Sequence, residues 1–255
     1  MIVLIVIASV LVVLAGICLW GAWENTAVQL HRVRVREQAL PAAFDGFTIA
    51  HVSDLHNASF GEGQARLAEL LKEAAPDIIA VTGDVIDKRR PGMQNAIDFF
   101  AAAVRTAPVY YVPGNHEAVS SEYPALREAI LALGVTVLED EAVSLERGGE
   151  QILLAGVRDP IFSTSDAEQN TSLMREKLDS VLPEIRPYPV LLPHRPELFA
   201  TYREAGVNLT LAGHAHGGQF RLPWGQGIIA PNQGLFPKYT PVSYTHLTLP
   251  TTSRV

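Results

Sequence analysis

Side chains that commonly bind metals occur in five short clusters, each following an apolar run. The clusters are Asp54-Leu55-His56, Gly83-Asp84-Val85-Ile86-Asp87, Gly114-Asn115-His116-Glu117, His194 and Gly213-His214-Ala215-His216. Oxygen and imidazole ligands together suit Mn, Fe or Zn, and the lack of thiolate argues against a structural zinc site. The clusters therefore predict a centre for divalent metal ions.

The spacing within two clusters supports this prediction. Asp54 and His56 are two residues apart, so their side chains point the same way in an extended segment, and the same holds for His214 and His216. Each cluster alone is weak, because Gly-Asp turns and Asp-x-His triplets are common for backbone reasons. Their joint occurrence indicates function. The candidate ligands are Asp54, His56, Asp84, Asn115, His194, His214 and His216.

The elements around the clusters must bring them together. Apolar runs predict strands at 47–52, 78–81, 109–112, 135–138, 143–145, 152–155, 190–192 and 209–212. Helical spacing predicts helices at 63–74, 95–104, 124–133, 166–181 and 197–204. This alternation favours an α/β fold, with some antiparallel sheet where strands follow one another directly. Ligands gather beyond the carboxyl ends of such strands, so we expect the clusters on one rim.

The order of these motifs resembles that of the calcineurin-like metallophosphoesterases, over about Ala43 to Thr240. The strings SDLH, LPHRPELF and LAGHAHGGQF are most similar to the membrane-associated bacterial branch that includes the YkuE-like and YaeI-like phosphodiesterases. The resemblance implies two packed mixed β-sheets flanked by helices in a four-layer sandwich. It also implies hydrolysis of phosphate esters with two divalent metal ions.

The resemblance further implies a role for each candidate residue. Asp84 bridges two metal ions, since each oxygen of a carboxylate can bind one cation. His116 contacts the substrate phosphate and protonates the leaving oxygen, and Asp87 supports the site. The remaining residues form two ligand sets, Asp54, His56 and His216 for one metal and Asn115, His194 and His214 for the other.

Two metal ions roughly 3.5–4 Å apart can lower the pKa of a shared water and clamp the phosphoryl oxygens. A metal-bridged hydroxide then attacks, and no covalent nucleophile is needed. The family branch favours a phosphodiester or pyrophosphate bond, and cleavage of UDP-diacylglucosamine is one reaction of similar proteins. A nucleotide or protein phosphomonoesterase is an alternative. A non-catalytic, metal-containing, membrane-tethered binding module is an alternative of another class.

The composition narrows the class of partner. The 255 residues are 48% hydrophobic and carry a net charge of −7, with no basic run longer than Lys88–Arg90. A nucleic-acid partner is therefore not expected, because such proteins usually carry a basic stripe. A small anionic phosphate ester remains compatible, since bound cations can dominate the field in a site. We predict no protein partner, and the single Cys18 allows no internal disulfide.

The first 23 residues contain no charged side chain. A helix needs roughly 20 apolar residues to cross a bilayer. A cleaved signal peptide usually has a shorter apolar region after a positive start, and neither feature is present. The segment therefore predicts a single-pass anchor, which we place in a bacterial inner membrane. Three arginines at 32–36 favour a cytoplasmic domain. With a single span this tendency is weak, so the sequence does not fix the side of the membrane on which the domain lies.

The remaining boundaries complete the predicted organisation. Residues 24–42 are a linker and a first half-exposed strand at Val28–Arg36, and 43–241 form the metallophosphoesterase domain. Val242–Val255 differs in character, and its VSYTHLTLPT string is what one reading frame of a transposon-based sequencing adapter encodes. We interpret this tail as an artefact that truncates the domain. An unpaired sheet edge and poor solubility would follow.

Overall fold

The computed structural model describes residues 2–24, 27–221, 227–239 and 243–245. The chain begins with helix α1 (Ile2–Glu24). Residues Ile2–Gly21 have a mean hydropathy of 3.3, and their most apolar part is not buried against the rest of the protein. Within the described residues it is the one helix long and apolar enough to cross a membrane. A core helix of a soluble protein would be mostly buried, whereas this helix is exposed.

A four-stranded parallel sheet carries the first three clusters. Its strands lie side by side in chain order: β1 (Ile49–Val52), β2 (Ile78–Val81), β3 (Val109–Tyr111) and β4 (Thr136–Val137). The helices that connect them are α2 (Ala65–Ala74), α3 (Gln94–Ala103), α4 (Asn115–Ala118) and α5 (Tyr123–Ala132).

A mixed five-stranded sheet carries the other two clusters. The helices and strands that follow β4 are β5 (Glu141–Arg147), β6 (Glu150–Gly156), α6 (Asn170–Val181), β7 (Tyr188–Leu192), α7 (Phe199–Glu204), β8 (Leu209–Leu211), β9 (Phe220–Arg221), β10 (Gly227–Ala230), β11 (Gly234–Leu235) and β12 (Ser243–Thr245). The sheet has the order β12-β8-β7-β6-β5, in which β6, β7 and β8 are parallel. Strands β9, β10 and β11 form a small antiparallel sheet beside it.

Alternating side chains on each strand build the four layers. In β2, Ile79 and Val81 pack against α2, α3 and α5, whereas Ile78 and Ala80 face the second sheet. A further cluster, which includes Leu191 of β7, lies between the second sheet and helices α6 and α7. The order is therefore helices, sheet, sheet, helices, which confirms the predicted fold class.

The predicted strand at Val28–Arg36 is wrong. This segment has no regular secondary structure. Val28 packs against the core beneath the first helix layer, and Val35 packs against the core between the sheets. The alternation of apolar residues thus serves a segment that crosses from one layer to the next. Glu37 then fixes its end by accepting a hydrogen bond from Asn208 Nδ2 at 2.8 Å.

The expected unpaired sheet edge is also not found at β8. Ser243–Thr245 pairs with it in antiparallel register, from Ser243 opposite Leu211 to Thr245 opposite Leu209. Backbone pairing requires few particular side chains, so even a short segment can cover an edge. The rest of the predicted tail lies outside the described residues.

Candidate metal centre

The candidate ligands follow the carboxyl ends of five strands. Strands β1, β2 and β3 of the first sheet and β7 and β8 of the second run directly into the clusters. Contacts join the two sheets at this rim. The Asp54 carboxylate accepts the backbone N–H of His214 at 3.0 Å, and His194 Nδ1 lies 2.7 Å from the Thr82 carbonyl oxygen. The clusters therefore converge at one place.

The backbone is unusual at this rim. Five of the seven candidate ligands have a left-handed conformation with φ between 48° and 65°. Residues other than glycine rarely adopt it, and such strain collects at functional sites. It turns the chain sharply at the end of each strand, so that the side chains point inward. The five are Asp54, His56, Asp84, His214 and His216.

The inner half of the site is buried. Asp84 and His194 are each 1% exposed, and Asp84 Oδ2 lies 3.2 Å from His194 Nε2. Asn115 Oδ1 lies 3.0 Å from the same nitrogen. Ligand atoms of Asp84, His194 and His214 all fall within 4.8 Å of one another. This half thus collects two oxygens and two imidazoles.

The hydrogen bonds of His194 fix how this half can bind a ligand. Its Nδ1 donates to the Thr82 carbonyl, which can only accept, so in the neutral ring Nε2 carries a lone pair. That lone pair faces the Asp84 and Asn115 oxygens, which are also acceptors. With the ring neutral, these three acceptors repel one another unless a cation lies among them, and that cation is either a proton on Nε2 or a metal ion. The donor set therefore fits a metal ion.

The outer half of the site is more accessible. Nε2 atoms of His56 and His216 lie 3.3 Å apart, and their rings stack at 11°. Asp54 Oδ1 lies 3.8 Å from the His216 nitrogen and 3.9 Å from that of His56. His216 is exposed, and the other two are half-buried. Two imidazoles and one carboxylate converge here, which also fits a divalent cation.

His116 and Asp87 lie beside the two halves. His116 Nδ1 is 3.2 Å from Asp87 Oδ1, and His116 Nε2 is 4.0 Å from Asp84 Oδ2. Asp87 also lies 3.8 Å from His56 Nδ1. Ligand atoms of His56, Asp87 and His116 fall within 4.8 Å, so these residues form a third group able to hold a cation. Asp87 is thus adjacent to the rings of both His56 and His116.

Burial and neighbouring charges shift the pKa values of these groups. Burial opposes the ionisation of Asp84, but the neighbouring His194 outweighs it and holds the pKa of Asp84 well below its usual range. Burial likewise opposes a charge on His194, but Asp84 raises its pKa. Burial lowers the pKa of His214 to about 2, assisted by His194. Burial also lowers the pKa of His56. The last two rings are therefore neutral, as metal ligands must be.

Glycines make the close approach between clusters possible. A Cβ at Gly114 would collide with the Asp84 carboxylate and the His194 ring, and a Cβ at Gly83 would collide with the Gly114 backbone. Gly83 also has φ of 88°, whereas Gly114 is extended. Gly114 is therefore required for space and not for a left-handed turn.

Glu117 is an important neighbour that the sequence did not single out. It is 1% exposed, and its carboxylate accepts four backbone N–H groups, from Asp84, Val85, Ile86 and Gly114. Burial and the charge of Asp84 raise the pKa of Glu117 to about 7, while the N–H donors favour its ionised form. It ties the loop of Asp84 to the loop that follows β3. Its place in the Gly-Asn-His-Glu string was the available signal.

Asn232 is a second residue that the sequence did not reveal. It follows β10, and its Nδ2 lies 2.9 Å from His214 Nε2 and 3.1 Å from Glu197 Oε1. Glu197 in turn lies 3.7 Å from the Arg195 guanidinium. This chain of polar groups supports the His214 ring from outside the site. An isolated asparagine in a loop offers no sequence signal.

The chain is also similar to known proteins. The family model described as calcineurin-like phosphoesterase matches residues 47–218, which include every cluster. The metallophosphoesterase YkuE of Bacillus subtilis is 28% identical over 205 residues, covering 78% of this chain and 68% of the relative. A transmembrane protein with metallophosphoesterase domain from Bos taurus is 26% identical over 218 residues, covering 81% of this chain and 48% of the relative.

A solved structure also matches part of the chain. Phosphopantetheinyl hydrolase from Mycobacterium tuberculosis aligns with a TM-score of 0.49 and 18% identity, covering 71% of this chain and 88% of that one.

Proposed function

Because the chain belongs to the calcineurin-like phosphoesterase family and is a metal-dependent phosphoester hydrolase, we propose that it cleaves phosphodiester or pyrophosphate bonds at a two-metal centre. The observation that supports this most is the convergence of seven ligand side chains from five strand ends into two adjacent donor sets. One set is accessible, as a substrate requires, and the other is buried.

Asp54, His56 and His216 would hold the outer ion, and Asn115, His194 and His214 the inner one, with Asp84 between the sets. The oxygen and imidazole donors suit Mn, Fe or Zn. When bound, two such ions activate water and stabilise the charge on the phosphoryl oxygens.

The protein positions these ligands through their outer contacts. The Thr82 carbonyl holds His194 in the tautomer whose Nε2 faces the site. The Asn232 side-chain amide lies 2.9 Å from His214 Nε2 and restrains the His214 ring. The backbone N–H of His116 donates to Asp84 Oδ1 at 2.8 Å, which leaves Oδ2 directed at His194. These three ligands are therefore oriented before any substrate arrives.

His116 is proposed as the general acid that protonates the leaving oxygen. Its Nδ1 lies 3.2 Å from Asp87 Oδ1, which would orient the ring. His116→Ala is expected to slow hydrolysis by about 10²–10⁴-fold, the usual contribution of such a proton transfer. Elemental analysis of the purified variant should show the metal content of the wild type.

A leaving group that needs no proton provides the control for this prediction. The defect of His116→Ala should shrink on p-nitrophenyl esters and grow on alkyl esters. A variant that loses one metal equivalent would instead place His116 among the ligands, as the group of His56, Asp87 and His116 allows.

A lipid-linked or envelope substrate fits the proposed anchor. Helix α1 would tether the domain to a bacterial inner membrane as a single span, and one similar protein is named as a transmembrane protein. A tethered enzyme meets substrates held at the bilayer surface, and UDP-diacylglucosamine is one such compound.

Hydrolysis of bis(p-nitrophenyl) phosphate by the full chain in detergent tests the proposal. We expect turnover with Mn²⁺ that is lost with chelator and is faster than turnover of the monoester p-nitrophenyl phosphate. Faster cleavage of the monoester would favour a phosphomonoesterase. A folded, metal-loaded protein that cleaves neither compound would contradict the proposed diesterase.

A further inference from the structure

The densest positive charge in this acidic chain lies on one exposed turn. Lys88, Arg89 and Arg90 follow Asp87 directly, and all three are exposed. The side chain of Arg89 is 81% exposed. The chain has a net charge of −7 and no longer run of Lys or Arg, and the hydrolytic mechanism above does not use this run.

The turn is held in place at both ends. The backbone N–H of Arg90 donates to the Asp87 carbonyl at 2.9 Å, and its carbonyl accepts Asn57 Nδ2 at 3.3 Å. Beyond it, the Gly92 N–H donates to the Glu122 carboxylate at 2.9 Å and 3.1 Å. The cations therefore project from a fixed backbone. Pre-placed charges of this kind bind an anion at a lower entropic cost than charges on a free loop.

The turn lies at the rim of the proposed metal centre. Arg89 Nε is 3.5 Å from Asp87 Oδ1, and the same oxygen is 3.2 Å from His116 Nδ1. Asn57, which holds the turn, directly follows His56. Only the Asp87 carboxylate thus separates this turn from a substrate phosphoryl group that contacts His116.

We propose that Lys88–Arg90 binds a second anionic group of the substrate, so that the preferred substrates are pyrophosphate-type compounds with two charged phosphoryl groups. This inference rests on the proposed function, which places the hydrolysed phosphoryl group at the metals. A simple diester with two uncharged organic arms offers these cations nothing to bind. Exposed ion pairs are individually weak, but three cations around one dianion act together. Their attraction to the dianion is screened by salt.

The test compares two non-hydrolysable ligands that differ in one phosphonate. Calorimetry would measure the binding of methylenediphosphonate and methylphosphonate to the full, Mn²⁺-loaded chain, with metal content checked afterwards. In the triple variant Lys88→Gln, Arg89→Gln, Arg90→Gln we expect the affinity for the diphosphonate to fall about tenfold. Binding of methylphosphonate should change by less than about twofold, and high salt should reduce the wild-type preference in the same way.

A charge-matched control removes three exposed cations elsewhere, Lys72→Gln on α2, Arg105→Gln after α3 and Arg203→Gln on α7. It should leave both affinities unchanged. An unaltered ratio of the two affinities in the Lys88–Arg90 variant, or an equal loss for both ligands, would overturn the proposal. Calorimetry needs no turnover, so a wild type that binds both phosphonates but cleaves no ester would contradict the proposed function alone.

Discussion

Asp84→Asn is expected to abolish metal-dependent hydrolysis, with a loss on the order of 10³-fold or more. Asp84 is 1% exposed, its Oδ2 faces His194 Nε2 at 3.2 Å, and its Oδ1 accepts the His116 N–H. Asparagine keeps the shape but removes the charge and replaces one oxygen by an NH₂ group. That group cannot bind a cation. If the NH₂ group takes the position of Oδ1, it faces the His116 N–H. If it takes the position of Oδ2, it faces the side-chain atoms that would bind the inner ion.

The measurement is turnover of bis(p-nitrophenyl) phosphate together with metal content and Tm. Loss of turnover and of at least one metal equivalent, with Tm near that of the wild-type apoprotein, would support a bridging role for Asp84. Asp45→Asn, at an exposed carboxylate that precedes β1, is the matched control and should behave as the wild type. An Asp84→Asn protein with full turnover and both metals would exclude the proposed bridge.

Much of the framework could be predicted because it depends on local patterns. Strand β2 has the predicted bounds, Ile78–Val81, since four consecutive apolar residues between turns are typical of a strand buried on both faces. The clusters could also be found from local pattern, because Asp84 and His214 each follow a glycine just after an apolar run. The family match confirms the resemblance that those strings suggested.

What could not be predicted depends on long-range contacts. Val28–Arg36 has the alternation of a strand, but whether it pairs depends on an available sheet edge, which local sequence does not reveal. The contact of Asn232 with His214 joins a hairpin to a strand end through side chains alone. The short helix α4 (Asn115–Ala118) is too brief for a helical repeat to appear.

Glu117→Gln is expected to lower both stability and metal affinity. The Glu117 carboxylate accepts N–H groups of Asp84 and Gly114 on one oxygen, at 2.7 Å each, and of Val85 and Ile86 on the other, at 2.8 Å and 3.2 Å. Whichever way the glutamine amide turns, its NH₂ faces two of these donors. Two buried N–H groups then lose their acceptor, at about 1–3 kcal/mol each.

The effect should reach the metal centre because one of the four donors is the backbone of Asp84. We expect Tm to fall by roughly 10 °C or more, and Mn²⁺ affinity, measured well below the new Tm, to fall at least about tenfold, since a loss of outer support typically has this effect. Glu122→Gln is the control, because its carboxylate accepts only the Gly92 N–H among described contacts. A Glu117→Gln protein that loses stability yet binds Mn²⁺ as the wild type would show that Glu117 supports the fold without positioning Asp84.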